Sequence, residues 1–221
     1  MYTFIITSTI NATFGLIDNT ARYHQTLETI QSIRDKVPNA KIVLVDSSSD
    51  RLSDEYFTEL KQKTDLFITL FNHQATIDFN RYQQKSAGEC YIMMIALSAI
   101  VEMNMVGDRI FKITGRYKLS DSFDITEYEN PDLVGKYVFK SRVKSWMKRE
   151  LSLVDTRLWS MCSSLLEETQ DLLPKVLNIV LEGEFDLEHA YFQTINLEHL
   201  VEFDKVHLEG QIASDGRIQY D

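Results

Sequence analysis

The sequence predicts an α/β fold: a mostly parallel central sheet flanked by helices, with a less regular C-terminal half. Three observations carry this. Residues 3–8 and 41–45 are continuous apolar, β-branched runs, the pattern of strands covered on both faces. Between them Tyr23, Leu27, Ile30, Ile33 and Val37 recur at helical spacing. Strand, helix and strand joined by short links mean βαβ crossovers, which lay consecutive strands parallel.

The elements follow in order. A polar loop, residues 11–20, leaves the first strand, and Pro38 stops the first helix. The second strand ends at Asp46, followed by Ser47, Ser48 and Ser49. The next helix covers residues 50–63, with Leu52, Tyr56 and Leu60 on one face and Asp50 or Ser53 available as its cap. Residues 66–71 read as a third strand and the polar stretch 72–85 as irregular. Gly88 precedes a long helix striped by Ile92, Ala96, Ala99 and Met103, and residues 109–114 are the fourth strand. Residues 120–135 read as a loop and 136–140 as a short strand. Asp155 or Thr156 is expected to cap a helix carrying Leu158, Cys162, Leu165 and Leu166, bent or ended by Pro174. A shorter helix starts near Asp186, and residues 201–220 read as strands joined by an Asp215-Gly216 turn.

The totals bound the function. A chain of 221 residues with 44% hydrophobic content suits one domain with a core of its own. Its net charge of -10 argues against non-specific nucleic-acid binding, because phosphates are repelled overall. Cys90 and Cys162 lack zinc spacing and read as buried free thiols in a reducing compartment. No apolar run approaches bilayer length, and residues 1–10 lack the basic start of a signal peptide, so the expected location is cytoplasmic.

Ligands on parallel sheets bind outside the carboxyl ends of the strands, which singles out residues 7–11, 46–49 and 114–118. Lys112 and Thr114 share a face of the fourth strand. Gly115 permits a turn or a close approach, and Arg116 can fork two hydrogen bonds to a phosphate or pair with Asp121 or Asp124. Tyr117 offers a ring to a sugar or base. Asp46 suits a ribose hydroxyl or base N–H, and equally a cap cluster with its serines. Residues 182–192 gather Glu182, Glu184, Asp186, Glu188 and His189 at a helix start, where a carboxylate serves as general base or as cap. Lys136, Lys140, Arg142, Lys144, Lys148 and Arg149 lie in an acid-free run that reads as a solvated face or an anion site. With Trp146 and Met147 inside it, the segment 136–149 also suits peripheral contact with an inner-membrane surface.

In their order, FIITSTIN, the segment RYHQTLETIQSIRDKVPNAKIVLVDSSS, KSAGECYIMMIAL, RIFKITGRYKL and EGEFDLEHAYF resemble a GT-A type glycosyltransferase. The likeness is to the small members of that superfamily found in surface-polysaccharide gene sets. It spans nearly the whole chain, and the order of the motifs carries more weight than any one of them. It implies a single Rossmann-like domain over 1–221, with a nucleotide-binding half at 1–118 and an acceptor and catalytic half at 119–221. It implies a nucleotide-sugar donor and a glycan or lipid-linked acceptor. Thr7, Ser8, Thr9 and Asn11 would cradle the nucleotide, with Asp46 and Ser47 at base or ribose. Lys85 would open the helix beside the donor sugar, and Asp186 or Glu188 would be the catalytic base. GT-A enzymes usually hold a divalent ion, manganese or magnesium, on an Asp-x-Asp motif ending the fourth main strand. Here that position reads Lys112-Ile-Thr-Gly-Arg-Tyr117, with Asp121 and Asp124 later and at other spacing, so no metal ligand is assigned. Lys112 and Arg116, with Gly115 and Tyr117 beside them, would meet the diphosphate instead. Two other readings stay open: a nucleotidyltransferase on a similar sheet, which would want a glycine-rich phosphate loop, and a non-catalytic nucleotide-sugar-binding module.

Overall fold

The axis of the structure is β1 (Tyr2–Ser8), buried from Thr3 to Ser8 because both its faces are covered. Phe4 and Ile6 point into one core and Ile5 into the other, which is why the run shows no polar alternation. The computed structural model describes residues 1–13, 15–145, 150–183, 185–211 and 218–220, with Gln219 by its backbone alone.

From β1 the chain passes through α1 (Asn19–Lys36), β2 (Lys41–Asp46), α2 (Asp54–Lys63) and β3 (Leu66–Thr69). Ser53 is the residue that caps α2, accepting the Tyr56 N–H. Tyr23, Ile30, Ile33 and Leu60 of these helices pack on the Phe4 and Ile6 face. The chain then crosses to the opposite face through α3 (Gln74–Arg81) and α4 (Lys85–Glu102) and returns as β4 (Arg109–Thr114). β4 lies on the far side of β1 from β2, and all these neighbours are parallel. The chain therefore parts in two directions between β1 and β4, and a crevice opens at their carboxyl ends.

After β5 (Tyr117–Leu119) come β6 (Tyr137–Lys140), β7 (Val143–Lys144), β8 (Ser152–Leu153) and β9 (Leu158–Cys162). Two helices, α5 (Leu166–Leu181) and α6 (Leu187–Thr194), precede β10 (Leu200–Phe203), β11 (Leu208–Gln211) and β12 (Ile218–Tyr220). Among the described residues the central sheet has seven strands in the order β10-β6-β9-β4-β1-β2-β3. Only β9 runs antiparallel to its neighbours, β4 and β6. α4, α5 and α6 share the Ile5 face, through Ile92, Leu97, Leu173, Val176 and Ala190. Beside this sheet, β5, β11 and β12 form a small antiparallel one.

Five expectations need correction. Residues 72–85 contain α3, whose eight residues are too few to repeat a helical stripe; Phe79 docks edge-on against Tyr91 of α4, with ring centroids 5.9 Å apart. α4 starts at Lys85, so Gly88 lies within it. The helix expected to carry Leu158 and Cys162 is the strand β9, with Leu158 in one core and Trp159 and Met161 in the other. A strand buried on both faces is apolar throughout and passes for a helical stripe. Pro174 lies inside α5 without ending it, because Thr169, Leu172, Leu173 and Val176 anchor that face. Such packing outweighs a proline penalty of about 3 kcal/mol. Cys90 is buried as expected, Cys162 is only half-buried, and both are free thiols. The Asp215-Gly216 turn lies outside the described residues.

Gly210 shows how tightly β11 sits on β5. A Cβ there would lie 2.5 Å from the Arg116 carbonyl oxygen and 2.9 Å from the Tyr117 Cα. Relieving that overlap costs about 1–3 kcal/mol. Gly210→Ala is expected to lower the melting temperature by several degrees, read by circular dichroism; an unchanged melt would show that the two strands separate freely.

Candidate functional site

The crevice between β1 and β4 is a cleft of about 170 Å³. Thr7, Ser8 and Thr9 from the β1 exit, Ser47 after β2, and Thr114 and Arg116 after β4 line it. Arg22 of α1 and Lys85, Gly88 and Glu89 of α4 line it as well. Six of the expected site residues therefore meet here: Thr7, Ser8, Thr9, Ser47, Lys85 and Arg116.

Five others lie outside the cleft wall, and their contacts give the reason. Asp46 is buried; one carboxylate oxygen accepts from Ser8 Oγ at 2.7 Å and Ile10 N at 3.1 Å, and the other from Ser48 N at 3.0 Å. It ties the β1 exit loop to β2 and borders a second hollow of about 140 Å³, which Leu52, Phe57 and Phe71 also line. Asn11 braces the same loop, its N–H donating to Ser48 Oγ at 2.8 Å. Gly115 donates its N–H to the Thr7 carbonyl at 2.8 Å, and a Cβ there would come within 3.2 Å of Ser8. Tyr117 is buried with the Arg157 guanidinium 5.3 Å above its ring. Lys112 is 1% exposed. Its ammonium is ion-paired with Glu89 and donates to Thr114 Oγ1 at 2.8 Å and to the Thr156 carbonyl at 2.6 Å.

Arg116 behaves differently. Its Nε is buried without a hydrogen-bond partner among the described residues. The two acids considered for it are engaged elsewhere: Asp121 lies 3.9 Å from Lys36, and Asp124 accepts from Thr126. The neighbouring cation is Arg22, 5% exposed, whose Nε donates to the Ile17 carbonyl at 3.0 Å and Nη1 to the Thr9 carbonyl at 3.3 Å. Burial, and then the charge of Arg116, hold the Arg22 guanidinium below its ordinary value. Arg22 and Glu89 are the charged cleft residues missed from sequence. The one available signal was a cation in the opening turn of a helix, where the dipole disfavours it.

At the start of α6, Asp186 accepts from His189 N at 3.2 Å and bonds His189 Nδ1 at 2.5 Å. His189 Nε2 in turn meets Ser145 Oγ at 2.6 Å. Glu188 accepts from Thr156 Oγ1 at 2.9 Å. Its carboxyl is pushed up to about 7, by burial first and then by the charges of Glu89 and Asp186. Neither acid lines the cleft. Glu188 lies behind it, linked through Thr156 and Lys112 to Glu89.

The residues do not fit a divalent cation. Such an ion takes several anionic oxygens. Glu89 is the one acid lining the cleft among the described residues; it is already paired with Lys112, and two arginines stand in the same wall. Nor, among the described residues, do three or more His, Cys, Asp or Glu side chains gather anywhere to hold a metal. In the basic segment, Lys136 donates to the Glu198 carbonyl and Arg142 pairs with Glu202 at 3.2 Å, while residues 146–149 lie outside the described residues. No described helix is long and apolar enough to cross a membrane.

The sheet order and the cleft agree with solved structures. The galactosyltransferase LgtC, in complex with donor and acceptor sugar analogues, matches 91% of this chain and 73% of its own at 11% identity, with a TM-score of 0.52. The chain has the GT-A fold. The glycosyltransferase GlyE of Streptococcus pneumoniae TIGR4 superposes over 92% of this chain at 11% identity and a TM-score of 0.52; this chain spans only 45% of GlyE. A Bacillus anthracis protein described as a glucose-1-phosphate thymidylyltransferase shares the architecture over 95% of this chain and 89% of its own, at 12% identity and a TM-score of 0.56. No family model matches the sequence. No curated protein is significantly similar to it.

The Glu188 environment of this GT-A domain has a measurable consequence. Its folded value lies above the ordinary 4.5, so between about pH 4.5 and 7 the folded state keeps a proton that the unfolded state has lost. Stability therefore falls as pH rises through that window, by up to about 3 kcal/mol. Glu188→Gln is expected to melt several degrees above the parent at pH 8 and level with it at pH 4. A difference independent of pH would remove the assignment.

Proposed function

We propose that this chain transfers a sugar from a nucleotide-diphosphate sugar to a hydroxyl of a glycan acceptor. The observation that carries the reading is a cation-lined cleft at the point where the sheet's connections part, between β1 and β4, with one carboxylate in its wall. Residues 7–116 supply every described side chain lining that cleft, which supports residues 1–118 as the donor half. The hollow beside Asp46 and Phe71 extends the path to the ends of β2 and β3 and suits the donor base. Residues 119–221 supply the acids behind the cleft.

In the reaction the acceptor oxygen forms a bond to the anomeric carbon. The bond from that carbon to the β-phosphate oxygen breaks, and its electron pair leaves with the nucleoside diphosphate. Arg116 stabilises the charge that develops there, where its buried Nε has no partner among the described residues. The hydroxyl proton passes to Glu89, the one described carboxylate in the cleft wall, while Glu188, behind the cleft and joined to it through Thr156 and Lys112, supports that wall. Asp186 acts as a positioning residue, fixing the start of α6 and His189. Glu89 faces the donor sugar, oriented by Lys112.

A panel of nucleotide sugars offered with mixed glycan acceptors, read by nucleoside diphosphate release, tests this. One donor is expected to turn over. Arg116→Ala is expected to cut that turnover about 100- to 1,000-fold with an unchanged melt. Binding of a donor without any turnover would make the chain a binding module. Nucleotide transfer onto a sugar 1-phosphate would make it a nucleotidyltransferase.

A further inference from the structure

Two guanidinium groups line one small cleft. Like charges so placed repel, and burial strengthens the repulsion. Arg22 is held against the loop leaving β1 by the Ile17 and Thr9 carbonyls, so it cannot swing out to solvent without losing both. Arg116 forms no ion pair among the described residues, and its Nε is buried unpartnered. A third positive element meets them. The opening turn of α4 carries no acid and receives no side-chain cap from Gln84, and Lys85 and Gly88 of that helix line the same cleft. A helix start carries the positive end of the helix dipole, which favours an anion. Glu89, the one described acid in the wall, is committed to Lys112.

We propose that Arg22, Arg116 and the first turn of α4 form a pyrophosphate site that binds the donor's diphosphate without a divalent cation. The inference rests on the donor-cleft reading above and deepens it. A diphosphate diester carries two negative charges, which two guanidinium groups balance. Their forked N–H groups match phosphate oxygens in pairs. The job done by a metal ion on an Asp-x-Asp motif thus falls to one arginine after β4 and a second from α1. Lys112, a cation within β4, instead anchors the wall from beneath.

The test uses inorganic pyrophosphate and the whole chain, with binding read by titration calorimetry and by melting temperature. In EDTA the parent is expected to bind pyrophosphate and to gain melting temperature with its concentration. Arg116→Gln is expected to weaken binding about tenfold or more, and Arg22→Lys several-fold, because lysine keeps the charge and loses the fork. Arg116 lies at the cleft surface, so its variant is expected to melt with the parent and remains informative if Arg22→Lys fails to fold. Added manganese or magnesium is expected to leave the affinity within about twofold, apart from the metal's own complex with pyrophosphate. Binding that appears only with the metal, or that Arg116→Gln leaves unchanged, overturns the site. Sugar transfer that needs manganese, with no pyrophosphate binding in EDTA, removes this site and keeps the transferase. Pyrophosphate binding in EDTA that Arg116→Gln abolishes, with no nucleotide sugar turned over, keeps the site and removes the transferase.

Discussion

The structure around the cleft depends on one buried charge. Lys112 lies under the sheet's crevice, and burying an ammonium without partners costs several kcal/mol. Glu89, Thr114 and the Thr156 carbonyl satisfy its three donors. Those partners come from α4, from β4 and from the segment entering β9, so a single side chain fixes the spacing of three elements. Through Thr156 the same cluster reaches Glu188 on α6. Glu89, which faces the cleft, and Glu188 behind it are thus held by one polar cluster.

On the other side of the crevice, Asp46 does a comparable job for the loop leaving β1. Its two oxygens gather Ser8, Ile10 and Ser48, so the ends of β1 and β2 move as one piece. Gly115 brings the end of β4 against Ser8 at a distance no side chain would allow without displacement. Hydrogen bonds to a buried carboxylate on one side and close packing at Gly115 on the other thus tie the rims of the cleft together. Such pre-organisation suits recognition of a small, highly charged group, because little ordering remains to be done on binding.

The electrostatics of the cleft separate this chain from the metal-dependent pattern its fold brings to mind. Where acids would gather around an ion, the wall holds Arg22 and Arg116, with Lys85 at the helix start. The sheet is common to transferases and nucleotidyltransferases alike, so the architecture leaves the chemistry open and the side chains at its switch point decide it.

Sequence alone determined the elements whose burial is one-sided or complete over a long run. β1, β2, β4 and the helix α1 were legible because two-faced burial and a 3.6-residue stripe leave marks in composition. The exits of β1, β2 and β4 were legible as the rim of a crevice because parallel sheets open one at the carboxyl ends where their connections part. β9 was not, since a short strand buried on both faces, apolar except for Ser160, carries no clear period. α3 was not, since eight residues are too few for a helical stripe to repeat. Among the cations, sequence could not tell the buried Lys112 from the cleft-lining Arg116, four residues apart. Only the tertiary structure decided that, by bringing Glu89 from 23 residues away under β4 and Arg22 from α1 to the cleft wall. Ion-pair partners meet through space, and a linear pattern records which charges exist without recording which of them neutralise each other.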